Sequence, residues 1–159
     1  MKQVCFILLA LGFTGTCMAE GRVIRHESLR KKILATFQIT ETKGIIFQRF
    51  SGISKSTKQA EECEIQLKSS ETTTTLDIIF PRSNRSQDSV KFSYDREIFE
   101  EVNGNQLKYS SHFISCSGDQ YDTYRECWEY DHHDIKLQSA QKSLSLSMKG
   151  SICTIEMMF

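Results

Sequence analysis

The sequence predicts a mainly β protein, an antiparallel β-sandwich or barrel of about 8–10 strands with room for one short helix and two disulfides. Three observations carry that expectation. From Ile33 onward, apolar and polar residues alternate over short runs. The breaks between the runs are short and polar, too short for the helical crossovers that parallel strands need. Four cysteines remain once an N-terminal export segment is set aside.

The first nineteen residues have the layout of a secretory signal peptide. Lys2 gives the n-region a positive charge, Val4 to Phe13 run without charge, and Thr14 to Ala19 are small and mildly polar. That order is what the export machinery reads. The apolar run falls far short of the roughly 20 residues a membrane-spanning helix needs. Cleavage after Ala19 is expected, with the mature protein secreted and extracellular. Residues 20–32 are polar and basic and read as an exposed N-terminal arm or a first helical turn; residues 33–159 read as a single β domain.

The elements follow in order. Ile45–Phe50 offers a short apolar strand. Residues 58–68 (KQAEECEIQLK) are rich in helix formers and favour the one helix that the pattern leaves open. Thr72–Phe80 is dense in β-branched residues and puts Leu76, Ile78 and Phe80 on one face. Val90, Phe92 and Tyr94 alternate with Lys91, Ser93 and Asp95. Residues 95–102 read either as a short helix capped by Asp95 or as a strand, and the hairpin is favoured. It would join strands 97–102 and 105–111 through Asn103-Gly104 in a type I′ turn. Leu107, Tyr109 and Phe113 share a parity in the next segment. Ile135 and Leu137 begin a further alternating run. Ser143–Met148 alternates strictly, and Cys153, Ile155 and Met157 close the pattern.

Charge and composition narrow the function. The 20 basic and 20 acidic residues cancel, so the strong basic excess of a nucleic-acid binder is missing. Cys5 and Cys17 leave with the signal, and Cys63, Cys116, Cys127 and Cys153 stay. An even number in an oxidising compartment reads as disulfides rather than a zinc site, although four cysteines allow three pairings. Local geometry favours Cys116–Cys127, closing a short polar loop, which leaves Cys63–Cys153. Asn84-Arg85-Ser86 is an N-glycosylation sequon in a polar stretch after Pro81.

No catalytic arrangement stands out. The serines sit in no nucleophile elbow, and Glu61-Glu62 and Glu100-Glu101 read as solvated faces. Asp131-His132-His133-Asp134 reads as a polar turn, because neighbours on a strand point to opposite faces and cannot share one metal ion. No metal or other cofactor is expected. The aromatic residues around Cys127 are the site candidates: Tyr121, Asp122, Tyr124, Trp128 and Tyr130. Rigid rings beside charges are enriched where proteins recognise partners. The expected activity is therefore non-enzymatic recognition of an extracellular protein or glycan. A β-barrel carrier of a small hydrophobic ligand is the alternative, and an enzyme of unknown class the residual one.

Two family resemblances are carried by single segments. Asp119-Gln120-Tyr121-Asp122-Thr123-Tyr124 resembles a lipocalin signature at its two tyrosines. The early Gly-x-Trp of that family is absent, since Trp128 is the sole tryptophan. The resemblance implies an eight-stranded cup for an apolar ligand. The segment from Cys127 through Ile135, Leu137, Ser139, Leu144 and Leu146 resembles the close of a CUB domain. It implies a secreted β-sandwich with two disulfides that recognises proteins or glycans. The proline and glycine landmarks of that family are missing, and Cys116 and Cys127 lie closer together than its second pair usually does. Each resemblance covers a small part of the chain, and membership of neither family follows.

Overall fold

The computed structural model describes residues 21–55, 59–83, 87–117, 126–130 and 134–158, with residues 115–117 and 126–130 described by their backbone. Among them the chain forms β1 (Arg22–Ile24), α1 (His26–Thr36), β2 (Ile46–Lys55), β3 (Ala60–Ser69), β4 (Thr73–Ile79) and β5 (Asp88–Ser93). There follow β6 (Glu97–Asn103), β7 (Gln106–Ser117), β8 (Glu126–Tyr130), β9 (Ile135–Ala140), β10 (Ser143–Met148) and β11 (Ser151–Glu156). Ten strands make one hydrogen-bonded path, β1-β6-β7-β9-β10-β11-β2-β3-β4-β5, and β8 pairs with β7 alone. Every ladder is antiparallel.

Period-two alternation gives each strand one inward face. Leu144, Leu146 and Met148 of β10 point in, while the intervening serines are half-buried. The same alternation buries Cys63, Ile65 and Leu67 of β3 and Thr74, Leu76 and Ile78 of β4. Strand β3 covers the segment whose composition favours helix. Its period-two apolar pattern and its place between β2 and β4 override the weak preferences of Glu61, Gln66 and Lys68.

The sheet curls until its opposite halves face each other, as the layers of a sandwich do. Phe92 of β5 meets Tyr109 of β7 edge-on, with ring centroids 6.3 Å apart. The Ser151 hydroxyl at the start of β11 donates to the Asp88 carboxylate at the start of β5. All inward faces thus share one core, in which Ile65, Leu67, Leu76, Ile78, Ile98, Ile135 and Leu146 are fully buried. The curl is tightest at β2. Cys63 on β3 and Cys153 on β11 form a disulfide with Cα atoms 6.0 Å apart, although β2 runs between those strands. The β2 residue at that level is Gly52, opposite Cys63 in register. A Cβ at Gly52 would lie 3.0 Å from Cys153 Sγ and 2.4 Å from the Thr154 carbonyl oxygen. Only glycine lets β11 approach β2 this closely.

In the stretch expected as an exposed arm or a first helical turn, Arg22–Ile24 form β1 and His26 opens α1. His26, Leu29, Arg30, Ile33 and Leu34 are buried; with Phe37 they recur at i, i+3, i+4, i+7, i+8 and i+11, a buried stripe at helical period in which four residues are apolar and His26 and Arg30 are polar. Phe37 packs on Phe50 of β2, ring centroids 5.1 Å apart. The helix ends in a Schellman motif. Ile39 N–H reaches the Leu34 carbonyl at 2.9 Å and Gln38 N–H the Ala35 carbonyl at 3.1 Å, with Gln38 at φ 56°.

Polar contacts fasten this segment to the sheet. His26 Nε2 and Thr74 Oγ1 are hydrogen-bonded at 3.0 Å. Arg30 Nε donates to Ser69 Oγ at 3.2 Å, and its guanidinium also donates to the Thr42 carbonyl at 3.0 Å. Arg22 Nε and Lys32 Nζ both donate to the carboxylate of Glu100 on β6, the former at 2.9 Å. Glu100, expected on a solvated face, has a side chain 0% exposed. It shares the inward parity of Ile98, and the two cations make that burial tolerable.

The hairpins keep the expected logic with one shift. Lys149-Gly150 joins β10 to β11 with φ 48° and 83°, the double positive φ that a type I′ turn requires. Between β6 and β7 the turn is Gly104-Asn105, one residue later than expected, because Asn103 pairs with Gln106. No helix among the described residues is long and apolar enough to cross a membrane.

Candidate recognition surface

Strand β7 is long enough to do two jobs. Its first half lies inside the curled sheet, paired with β6 as far as His112 and with β9 as far as Tyr109. From Phe113 to Ser117 its described partner is β8. The two strands therefore leave the sheet as a two-stranded ribbon. Of the expected site residues, Trp128 and Tyr130 lie on β8, opposite Ser115 and Phe113. Tyr121, Asp122 and Tyr124 lie outside the described residues, as does Asn84. Cys116 and Cys127 stand directly opposite one another in the ribbon. A two-stranded ribbon is marginal by itself in water, and facing positions of an antiparallel pair lie at the Cα separation a disulfide requires.

Arg96, in the turn between β5 and β6, marks the base of the ribbon. Its guanidinium carbon sits 5.0 Å from the centre of the Phe113 ring, a cation–π distance. Its Nη1 donates to the Lys91 carbonyl of β5 at 3.1 Å. The next residue outward, Ile114, is 55% exposed. A large apolar side chain is thus offered to solvent where the ribbon leaves the sheet.

Arg96 also lines an open groove of about 600 Å³. It is lined by Val23, Ile24 and Arg25 at the junction of β1 and α1, by Tyr94, Arg96 and Glu97 around the β5–β6 turn, and by Glu71 of the β3–β4 turn. Tyr94 is 72% exposed. Buried His26 borders the groove, and its imidazole is held below its ordinary range. Burial is the main cause and the Arg30 charge adds to it, against an opposing hydrogen bond to the Glu71 backbone. His26 is accordingly a neutral wall at pH 7. Sequence reasoning missed this groove because its residues come from three separate turns, none of which carries a motif.

The remaining charged groups have structural duties. Burial pushes the Glu100 carboxyl up, but hydrogen bonds from Lys32 and Arg22, with their charges, outweigh it and hold the group below the usual carboxylate range. Beside it, burial and then the Glu100 charge push the Tyr109 phenol up, so it stays protonated. In the Asp131–Asp134 run, residues 131–133 lie outside the described part, and Asp134 pairs with Lys108 Nζ at 3.1 Å. Among the described residues, no three His, Cys, Asp or Glu side chains converge as metal ligands.

The arrangement is that of a curled antiparallel β protein bearing a ribbon and a polar groove on neighbouring elements. No protein-family model, curated protein or solved structure matches the chain.

Proposed function

We propose that the protein is a secreted, non-enzymatic recognition module that binds an extracellular protein or glycan with the β7–β8 ribbon. The observation that carries this reading is the departure of β7 from the sheet at Phe113. The strand pair carries Trp128 and Tyr130 on β8 and flanks the tyrosine-bearing segment 118–125 in the sequence. Rigid aromatic residues suit partner binding, since they bury large area at low entropic cost. In this reading a Cys116–Cys127 disulfide staples the ribbon, and Asn84 carries a glycan in the loop between β4 and β5. The carrier reading requires an apolar hollow. Its natural place, the inside of the curled sheet, holds the packed side chains of Phe92, Tyr109, Leu137 and Leu146.

The test is flow cytometry with the secreted, tagged mature chain on a panel of animal cell lines. The wild type should label at least one line. Tyr121→Ala with Tyr124→Ala, or Trp128→Ala, should weaken that labelling tenfold or more at unchanged melting temperature. Labelling of no line, or equal labelling by folded ribbon variants, would refute the proposal.

A further inference from the structure

We infer that the groove between β1–α1 and the β5–β6 turn is a binding site for a neutral saccharide unit. The inference rests on the reading of this face as a recognition surface and names the ligand chemistry of one part of it.

A sugar ring presents an apolar C–H face and a rim of hydroxyls, each able to donate and to accept. A receptor for it needs an exposed flat ring, acceptors and donors around one concavity, and no large net charge. The groove supplies all three. Tyr94, 72% exposed, is the platform, an aromatic ring that burial elsewhere in the fold does not explain. Glu71 and Glu97 are the acceptors, and Arg25 and Arg96 the donors. The volume of about 600 Å³ falls within the range of small-molecule sites, roughly 300–1,000 Å³. Arg96 is fixed before any ligand arrives by its bond to the Lys91 carbonyl and by the Phe113 ring, so little freedom is lost on binding.

The sign pattern decides between ligand classes. Of the three carboxylates and two guanidiniums that line the groove, Glu27 is paired with Lys31, and the two carboxylates and two guanidiniums that remain cancel. An anion would meet Glu71 and Glu97, and a cation would meet Arg25 and Arg96. A neutral polyol satisfies both pairs. Glu27, which also lines the groove, is tied to Lys31 at 2.8 Å. Two other grooves among the described residues lack this combination. In one, of about 560 Å³, the Arg30 guanidinium is engaged by Ser69, Glu41 and Thr42. In the other, beside Gly52, Glu62 and Glu64 pair with Arg82 and Arg49. Neither is lined by an aromatic side chain.

The experiment is an array of immobilised neutral, sialylated and sulfated glycans, probed with the mature chain, Tyr94→Ala and Glu97→Gln. Both positions are exposed, so the variants should melt with the wild type. Retention of at least one neutral glycan is expected, weakened tenfold or more by Tyr94→Ala and several-fold by Glu97→Gln. A silent array, retention of charged glycans alone, or retention indifferent to Tyr94→Ala would overturn the inference. The cell-labelling assay separates the two claims. Ribbon-dependent labelling with a silent array removes the saccharide site and leaves the recognition module standing. A Tyr94-dependent glycan signal with ribbon variants that label as well as the wild type removes the ribbon instead.

Discussion

Replacing Gly52 by alanine adds one methyl group at the point where three strands and a disulfide meet. The new Cβ would lie 2.4 Å from the Thr154 carbonyl oxygen, 2.9 Å from Ile155 Cγ2 and 3.0 Å from Cys153 Sγ. The first contact is backbone and the third is cross-linked, so neither yields by a rotamer change. Relief requires β2 and β11 to part, and among the described residues their ladder pairs Ile53 with Thr154 and Gly52 with Ile155. Overpacking of a tight interior costs about 1–3 kcal/mol and occasionally more. With two rigid neighbours the upper end applies, reduced by the roughly 0.4–1 kcal/mol that alanine gains over glycine in the unfolded chain. A net loss of about 2–3 kcal/mol should lower the melting temperature by roughly 6–12 °C for a domain of this size. Urea unfolding of the oxidised protein followed by circular dichroism measures it. Gly21→Ala is the control, since its Cβ would find nothing nearer than the Glu100 carbonyl at 3.8 Å, and it should stay within about 0.5 kcal/mol of wild type. A Gly52→Ala protein as stable as that control would show that β11 does not approach β2 as described.

Other outcomes are expected from the N-terminal clasp. Glu100→Gln strands Lys32 and Arg22 and should cost about 2 kcal/mol, below the usual figure for breaking a buried pair because both cations reach solvent. The folded-state pKa of Glu100 is depressed, so its contribution is present above the ordinary carboxyl range and lost as acid carries the pH below it. Glu100→Gln should therefore show a flatter acid limb in a stability–pH profile. His26 has a depressed folded pKa as well. The wild type should lose stability as the pH falls below 6.5, the ordinary imidazole value, and His26→Gln should remove that slope. Gln38→Gly places glycine at the positive-φ position of the Schellman motif and should stabilise by about 0.5–1 kcal/mol in urea melts.

The strands were legible wherever one face was uniformly apolar. In β10 and β4 the alternation of Leu144, Leu146 and Met148, or of Leu76 and Ile78, leaves no competing period. Where polar residues share the inward face, legibility fell. Arg30 and His26 occupy buried positions of α1, so the helical stripe was diluted by residues that read as solvated. Glu100 reads as half of an exposed acidic pair until its cations are brought from 68 and 78 residues away. The β6–β7 turn falls one residue later than expected, with Asn103 opposite Gln106; Asn-Gly and Gly-Asn are both good turn dipeptides, and Ile98 and Tyr109 share a face in either register, so the alternation does not choose between them. The groove was illegible for another reason. Tyr94 and Glu71 meet through the β4–β5 ladder, where Tyr94 N–H donates to the Thr72 carbonyl at 3.0 Å, and Arg25 joins them through the pairing of β1 with β6; no local pattern encodes that long-range pairing.

Peptide mapping of the non-reduced protein by mass spectrometry tests the architecture most directly. Cys63 and Cys153, 90 positions apart in the chain, should emerge in one cross-linked peptide pair, and Cys116 and Cys127 in another, with no free thiol. Linkage of Cys63 to either ribbon cysteine, or an alkylatable Cys153, would contradict a sheet curled with β3 against β11 across Gly52.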